Sequence, residues 1–169
     1  RKNLKGLIQA YARLSPALRK RYPLVLAGGA GWNHGETDSL IAQLASRGEL
    51  IKLGFVPQAQ LPALYQNASA FAYVSLYEGF GMPIAEAMAS GVPVLTSNCS
   101  SMPEVAQGSA LLVDPNSVES IAQGLDKLLG EIDDASQCSE AGRKLSHSYN
   151  WRATADSLID IAAALDGCT

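Results

Sequence analysis

Glu78 and Glu86 stand on either side of the glycine turn Gly79-Phe80-Gly81, which continues into Met82-Pro83. A carboxylate accepts paired hydrogen bonds from vicinal hydroxyls, and such bonds are charge-assisted and directional. Glycine lets backbone approach a ligand without a Cβ clash, so the N–H groups of Gly79, Phe80 and Gly81 could face ligand oxygens. Pro83 suits the first turn of a helix, where its missing N–H is not needed. The positive end of that helix then favours an anion. Acids that grip hydroxyls, set beside donors that grip anions, fit a polyhydroxylated ligand carrying phosphate. A nucleotide-sugar has that character. Spacing alone does not fix how far apart the two acids lie. Glu86 by itself could equally be an acidic residue placed in the first helical turn to favour the dipole.

The surrounding pattern shows what must hold these residues. Leu4, Leu7, Ile8, Tyr11 and Leu14 fall at helical spacing, and Pro16 ends or kinks that helix near Ser15. Leu24-Val25-Leu26-Ala27 is a short apolar run stopped by Gly28-Gly29, which predicts a buried strand. Further strands are predicted over residues 50–55, 71–74, 92–95 and 110–113. Helices are predicted over 39–47, 60–67, from Pro83 to Gly91, and over 118–129, 136–146 and 151–165. This alternation with short links predicts an α/β fold, a Rossmann-like parallel sheet with helices on both faces. The first helix has no strand before it, so the sheet is expected to lack its first strand. Ligands of such sheets bind beyond the carboxyl ends of the strands, where Glu78 falls. The apolar face of the last helix, with Trp151, Leu158, Ile159 and Leu165, is expected to pack locally. Crossing toward a further domain is the weaker option.

Bulk properties narrow the classes. At 169 residues and 47% hydrophobic, the chain can build one core. A net charge of -3 argues against a nucleic-acid surface. Arg19-Lys20-Arg21 is the densest basic stretch and is expected to be a solvated helix end. Peripheral contact with an anionic membrane is the weaker option, since three charges anchor poorly. The three cysteines form no C-x-x-C pair, which points to a reducing, cytoplasmic setting. No apolar run reaches spanning length, so no membrane span is expected, and these residues carry no signal-peptide pattern, although an address ahead of Arg1 would not be seen. The first residue is Arg1, so the chain is expected to be a piece of a longer protein. His34 and His147 stand alone, away from metal-ligand spacing. His34, in the loop Trp32-Asn33-His34-Gly35, could border the ligand.

The string from Glu78 to Glu86 resembles the E-x7-E signature of retaining glycosyltransferases of the GT-B class, family 4 (group 1). Arg1-Lys2-Asn3 resembles the lysine-bearing segment that opens their donor domain. Leu24-Val25-Leu26-Ala27-Gly28-Gly29 and Leu53-Gly54-Phe55-Val56-Pro57 are similar to two of their strands and loops. Ala87-Met88-Ala89-Ser90-Gly91-Val92-Pro93-Val94, Pro103-Glu104-Val105 and Trp151 continue the likeness over nearly the whole chain. Asn98-Cys99-Ser100-Ser101-Met102-Pro103-Glu104 is similar to a stretch found in bacterial mannosyltransferases.

The resemblance implies that residues 1–169 form the nucleotide-sugar (donor) binding domain, the C-terminal half of a GT-B enzyme, without its acceptor domain. Glu78 would contact the donor sugar and Glu86 the ribose hydroxyls. Gly79, Phe80 and Gly81 would line the sugar pocket, with Met82 and Pro83 near the diphosphate. Lys2 would neutralise the leaving diphosphate. Val56 would border the nucleobase, Gly29 would belong to the glycine loop, and Ser100 could reach phosphate or sugar oxygens. No D-x-D occurs, so transfer is expected to need no metal and no cofactor. GDP-mannose is favoured over UDP- or ADP-sugars. The acceptor would be a glycan or lipid-linked sugar, reached at the inner face of the membrane through the other domain. The isolated chain is expected to bind donor and transfer nothing. Two alternatives remain: a non-catalytic sugar-nucleotide binding module, and an NAD(P)-binding oxidoreductase domain. The second rests on the partial fingerprint Gly29-Ala30-Gly31, which lacks its third glycine.

Overall fold

The computed structural model describes residues 1–29, 37–130 and 135–166. Helix α1 (Leu4–Arg13) gives way at Leu14, which is extended, and Ser15 opens α2 (Pro16–Arg21). The Ser15 hydroxyl accepts from the Leu18 N–H at 3.2 Å, and Pro16 occupies the first turn, where a missing donor costs nothing. Strand β1 (Leu24–Ala27) leads to α3 (Asp38–Ser46), β2 (Leu50–Gly54) and α4 (Leu61–Gln66). Then come β3 (Phe71–Tyr73), α5 (Met82–Ala89), β4 (Val94–Ser97), α6 (Met102–Ala106) and β5 (Leu111–Val113). Helices α7 (Val118–Gly130), α8 (Ala135–Ser146) and α9 (Trp151–Asp166) complete the chain.

All observed strand pairs are parallel, as predicted. They form two ladders, β1 beside β2 and the trio β3-β4-β5 with β4 central. Among the described residues no strand of the first ladder pairs with one of the second, so the expected single sheet is divided in two. One apolar cluster nevertheless joins the ladders. It packs Leu7, Ile8 and Tyr11 of α1 and Ile121 and Leu125 of α7 against Leu50, Val74 and Leu95. On the other face, Ile84 and Met88 of α5 meet Val94, Met102 and Val105. Val94 and Leu95 are neighbours in β4 and enter opposite clusters, as alternation along a strand requires. The three-stranded ladder is therefore covered by helices on both sides. β4 starts two residues later than predicted, because the Val92 N–H closes the end of α5 on the Ala87 carbonyl at 3.1 Å and Pro93 has no donor.

Two expectations are corrected. Arg19 is not solvated. It is buried, pairs with Glu49 at 2.9 Å, and donates to the carbonyls of Ala12, at 3.0 Å, and Leu14. The helix break before Pro16 strands the last carbonyls of α1, and a guanidinium can satisfy several at once. Tyr11 closes the same knot by donating to the Glu49 carbonyl at 2.8 Å. The expected local packing of the last helix is also not observed. Every residue of α9 from 151 to 165 is exposed, Trp151 by 80%.

Candidate functional site

Lys2 is brought to the carboxyl end of β3 by its own backbone. The Arg1 carbonyl accepts from the Leu76 N–H at 2.9 Å. On its other side Asn3 adopts a left-handed conformation, φ 53°, and its side-chain amide donates to the Pro115 carbonyl at 2.7 Å. Held between these anchors, the Lys2 ammonium lies 2.8 Å from Glu78 Oε1 and contacts the Tyr73 hydroxyl. Glu78 is buried, whereas the Lys2 side chain is 46% exposed. Burial pushes the Glu78 carboxyl up, but its contact with Lys2, the nearby Ser75 and Tyr73 hydroxyls and the Lys2 charge outweigh it. The group is held below the ordinary carboxylate range. Burial likewise lowers Lys2, and its contacts with Glu78 and Tyr73 more than reverse this, so its ammonium is held above the ordinary range.

The glycine turn follows. Gly81 caps α5 with φ 100°, a conformation L side chains rarely adopt, and a Cβ there would lie 3.1 Å from Ile84 Cδ1. The N–H groups of Gly79, Phe80 and Gly81 donate to no acceptor among the described residues. The carbonyls of the turn are instead tied down. Ser100, itself at φ 55°, donates to the Glu78 carbonyl at 2.7 Å. Ser101 donates to the carbonyls of Glu78, at 3.0 Å, and Phe80, at 2.9 Å. The turn is thus braced through its acceptors while its donors stay open. The Phe80 ring packs edge-on against Tyr149, with centroids 5.6 Å apart, so it fixes the turn from behind.

Glu86 lies in the second turn of α5 rather than the first, because the helix starts at Met82. A dipole-balancing role is weaker there, since the effect fades beyond the first turn. One of its oxygens, Oε2, instead accepts from the Tyr65 hydroxyl at 3.1 Å. Burial first, then the Glu86 charge and hydrogen bond, raise the Tyr65 phenol well above its ordinary range. Met82 is exposed and Pro83 half-buried at the start of α5.

The structure therefore places Lys2, Glu78, Gly79, Phe80, Gly81, Met82, Pro83 and Ser100 around the turn into α5, with Glu86 one turn further along that helix and bound to Tyr65. Gly29 and Val56 follow the carboxyl ends of β1 and β2, and no hydrogen bond or ion pair among the described residues ties them to this group. A Cβ at Gly29 would meet nothing, whereas the neighbouring Gly28 N–H links the two strand ends by donating to the Gly54 carbonyl at 2.8 Å. The loop carrying His34 and most of the partial dinucleotide fingerprint lies outside the described residues. Sequence reasoning missed Tyr65 and Tyr73. Tyr73 had a usable signal, since it shares a strand face with Phe71 at period two. Tyr65, on a short helix before β3, had none. Cys99 is a free thiol. No helix among the described residues is long and apolar enough to cross a membrane.

Residues 1–145 match the family described as "Glycosyl transferases group 1". The chain is 40% identical over 151 residues to O-antigen chain mannosyltransferase B of Escherichia coli, covering 89% of this chain and 40% of that protein. It is 36% identical over 165 residues to the serotype-specific mannosyltransferase WbdA of the same species, covering 95% of this chain and 20% of WbdA. It thus spans less than half the length of either relative. Among solved structures, HepE of Anabaena in complex with UDP superposes with a TM-score of 0.79 at 21% identity, over 96% of this chain and 45% of that one.

Proposed function

The chain belongs to the group 1 glycosyl transferases, and on that premise we propose that it is the donor-binding part of a retaining, metal-independent transferase using a nucleotide-sugar. The observation that carries the reading is the Lys2–Glu78 pair beside the open donors of the glycine turn, with Glu86 in the helix that follows. An ammonium has three donors. Lys2 uses one toward Glu78 and one toward Tyr73, which leaves one for a diphosphate oxygen. Glu78 takes hydroxyls of the donor sugar, and Glu86 offers its remaining oxygen to the ribose. Ser100 serves by bracing the turn. Gly29 and Val56 border the nucleoside.

Transfer breaks the bond between the anomeric carbon and the phosphate oxygen, and the electron pair leaves on that oxygen. Lys2 and the N–H groups at the start of α5 stabilise the charge that develops there. The acceptor hydroxyl bonds to the anomeric carbon from the face the diphosphate leaves, and its proton passes to the departing phosphate oxygen. Configuration is retained.

Mannose is the favoured sugar and GDP-mannose the favoured donor, supported by the two mannosyltransferase relatives. The acceptor, a glycan or lipid-linked sugar, would be bound by another part of the protein, in the cytoplasm at the inner face of the membrane. The isolated chain then binds donor without turning it over. Thermal unfolding with GDP-mannose, UDP-glucose, ADP and NAD tests this, because a ligand stabilises by mass action. GDP-mannose is expected to raise the melting temperature most. A rise with NAD alone, or with no nucleotide at all, overturns the reading, and sugar transfer by the isolated chain overturns the division of labour.

A further inference from the structure

Between the two acids runs a line of three aromatic rings. Tyr65 of α4 holds Glu86 through its hydroxyl at 3.1 Å. Its ring meets Phe71 of β3 edge-on, with centroids 5.3 Å apart and planes at 84°. Phe71 stacks on Tyr73 at 5.9 Å and 18°. The Tyr73 hydroxyl contacts the Lys2 ammonium, which in turn lies 2.8 Å from Glu78 Oε1. Lys2 Nζ lies 4.6 Å from the Tyr73 ring centroid while touching its hydroxyl, so the ammonium sits off the end of the ring and not over its face.

The line has a rigid base. Phe71 and Tyr73 are paired in register with Val94 and Thr96 of the central strand β4, and the Tyr73 carbonyl accepts from the Thr96 hydroxyl at 2.8 Å. Edge-on and offset ring pairs have preferred geometries, so they transmit position better than aliphatic packing does. Both hydroxyls point outward from this base, one to each half of the site.

Resting on the reading of the site given above, we propose that Tyr65 and Tyr73, bridged by Phe71, are positioning residues. Tyr65 presents Glu86 to the nucleoside end of the donor, and Tyr73 presents Lys2 and Glu78 to the diphosphate–sugar junction. The distance between the two grips is then set by packed rings, not by the loop that joins them.

Tyr65→Phe and Tyr73→Phe remove only a hydroxyl, and unfolding curves are to be recorded first to check that both variants fold. In calorimetric titrations Tyr65→Phe is expected to weaken GDP and GDP-mannose alike, by about fivefold, the scale of one net hydrogen bond. Its effect is expected to disappear in a Glu86→Ala background, which leaves the Tyr65 hydroxyl no acceptor at that position, because a positioning residue acts only through its partner. Equal loss in both backgrounds, or no loss in either, overturns the proposal. A second measurement needs no ligand. The Glu78 carboxyl titration, followed by side-chain carbon NMR, is expected to move up in Tyr73→Phe and to stay put in Tyr22→Phe, since Tyr22 follows α2 and packs on the cluster that holds α1. An unmoved Glu78 in Tyr73→Phe also overturns it. Failure of the unaltered chain to bind any nucleotide would instead count against the donor-site reading, while the NMR titration still decides the positioning role.

Discussion

The Lys2 ammonium and the Glu78 carboxylate meet at 2.8 Å, one from the segment before α1 and the other from the turn after β3. The contact makes the extreme start of the chain part of the site. It also makes the pair sensitive to pH in a definite direction. Glu78 is held low, so its contribution to stability is full above the unfolded carboxyl value of about 4.3 and is lost as pH falls through the lower folded value. Lys2 is held high, so its contribution is full below about 10.4 and is lost as pH rises through the higher folded value. The melting-temperature difference between the unaltered chain and Lys2→Met should therefore be flat between those limits and shrink in acid. Because Lys2 is half exposed, solvent screens the pair and the difference will be modest. An identical difference at neutral pH and well below the carboxyl range would show that the pair does not contribute.

Lys2→Met should also weaken nucleoside diphosphate binding by roughly tenfold or more, the range for a hydrogen bond to a charged group. Guanosine, which has no phosphate, should bind the variant and the unaltered chain equally. Titration calorimetry with both ligands measures this.

Gly81→Ala should destabilise the chain by about 1–2 kcal/mol, the cost of a left-handed conformation for an ordinary residue. The new Cβ would press on Ile84 Cδ1, which lies 3.1 Å away, and α5 would shift at its start. Urea unfolding gives the number, and a loss of donor binding larger than the loss of stability would locate the damage in the turn.

Gly124→Ala tests the contact of α7 with the sheet. Its Cβ would fall 2.5 Å from Val113 Cγ1 and 2.8 Å from Leu95 Cδ1, so the helix or the strands must move. Overpacking of this kind costs about 1–3 kcal/mol. Because the site lies at the start of α5, donor affinity at a temperature well below the midpoint should be nearly unchanged.

Breaking the buried Arg19–Glu49 pair on one side should be costly. Arg19→Met leaves Glu49 without its partner and strands the carbonyls of Ala12 and Leu14, and a loss of about 3–5 kcal/mol is expected. Adding Glu49→Leu should recover part of it. Urea unfolding of the two single variants and the double variant would show whether the coupling exists.

Much of the fold was legible in the sequence because helices and strands alternate with different periods and the breaks fall at Pro16, Gly48 and Gly91. The neighbourhood of Glu78 was legible for the same reason, since a strand, a glycine turn and a proline announce where backbone donors will face outward. The partners of the site residues were not. Ser100 bonds to a carbonyl 22 residues away, a pairing that exists only once β3 and β4 lie side by side. Arg19 looked solvated because its two neighbours are basic, and only the stranded carbonyls of α1 explain its burial. The amphipathic pattern of α9 told of a face suited to cover, but periodicity does not say which part of a protein supplies that cover.

The anchoring of Arg1 to Leu76 has a practical consequence. Because that bond fixes Arg1 beside the turn after β3, a purification handle joined ahead of residue 1 starts within two residues of the Lys2–Glu78 pair. Residues 151–165 of α9 are exposed throughout, so a handle behind that helix stands away from the packed start of α5 in sequence and in burial.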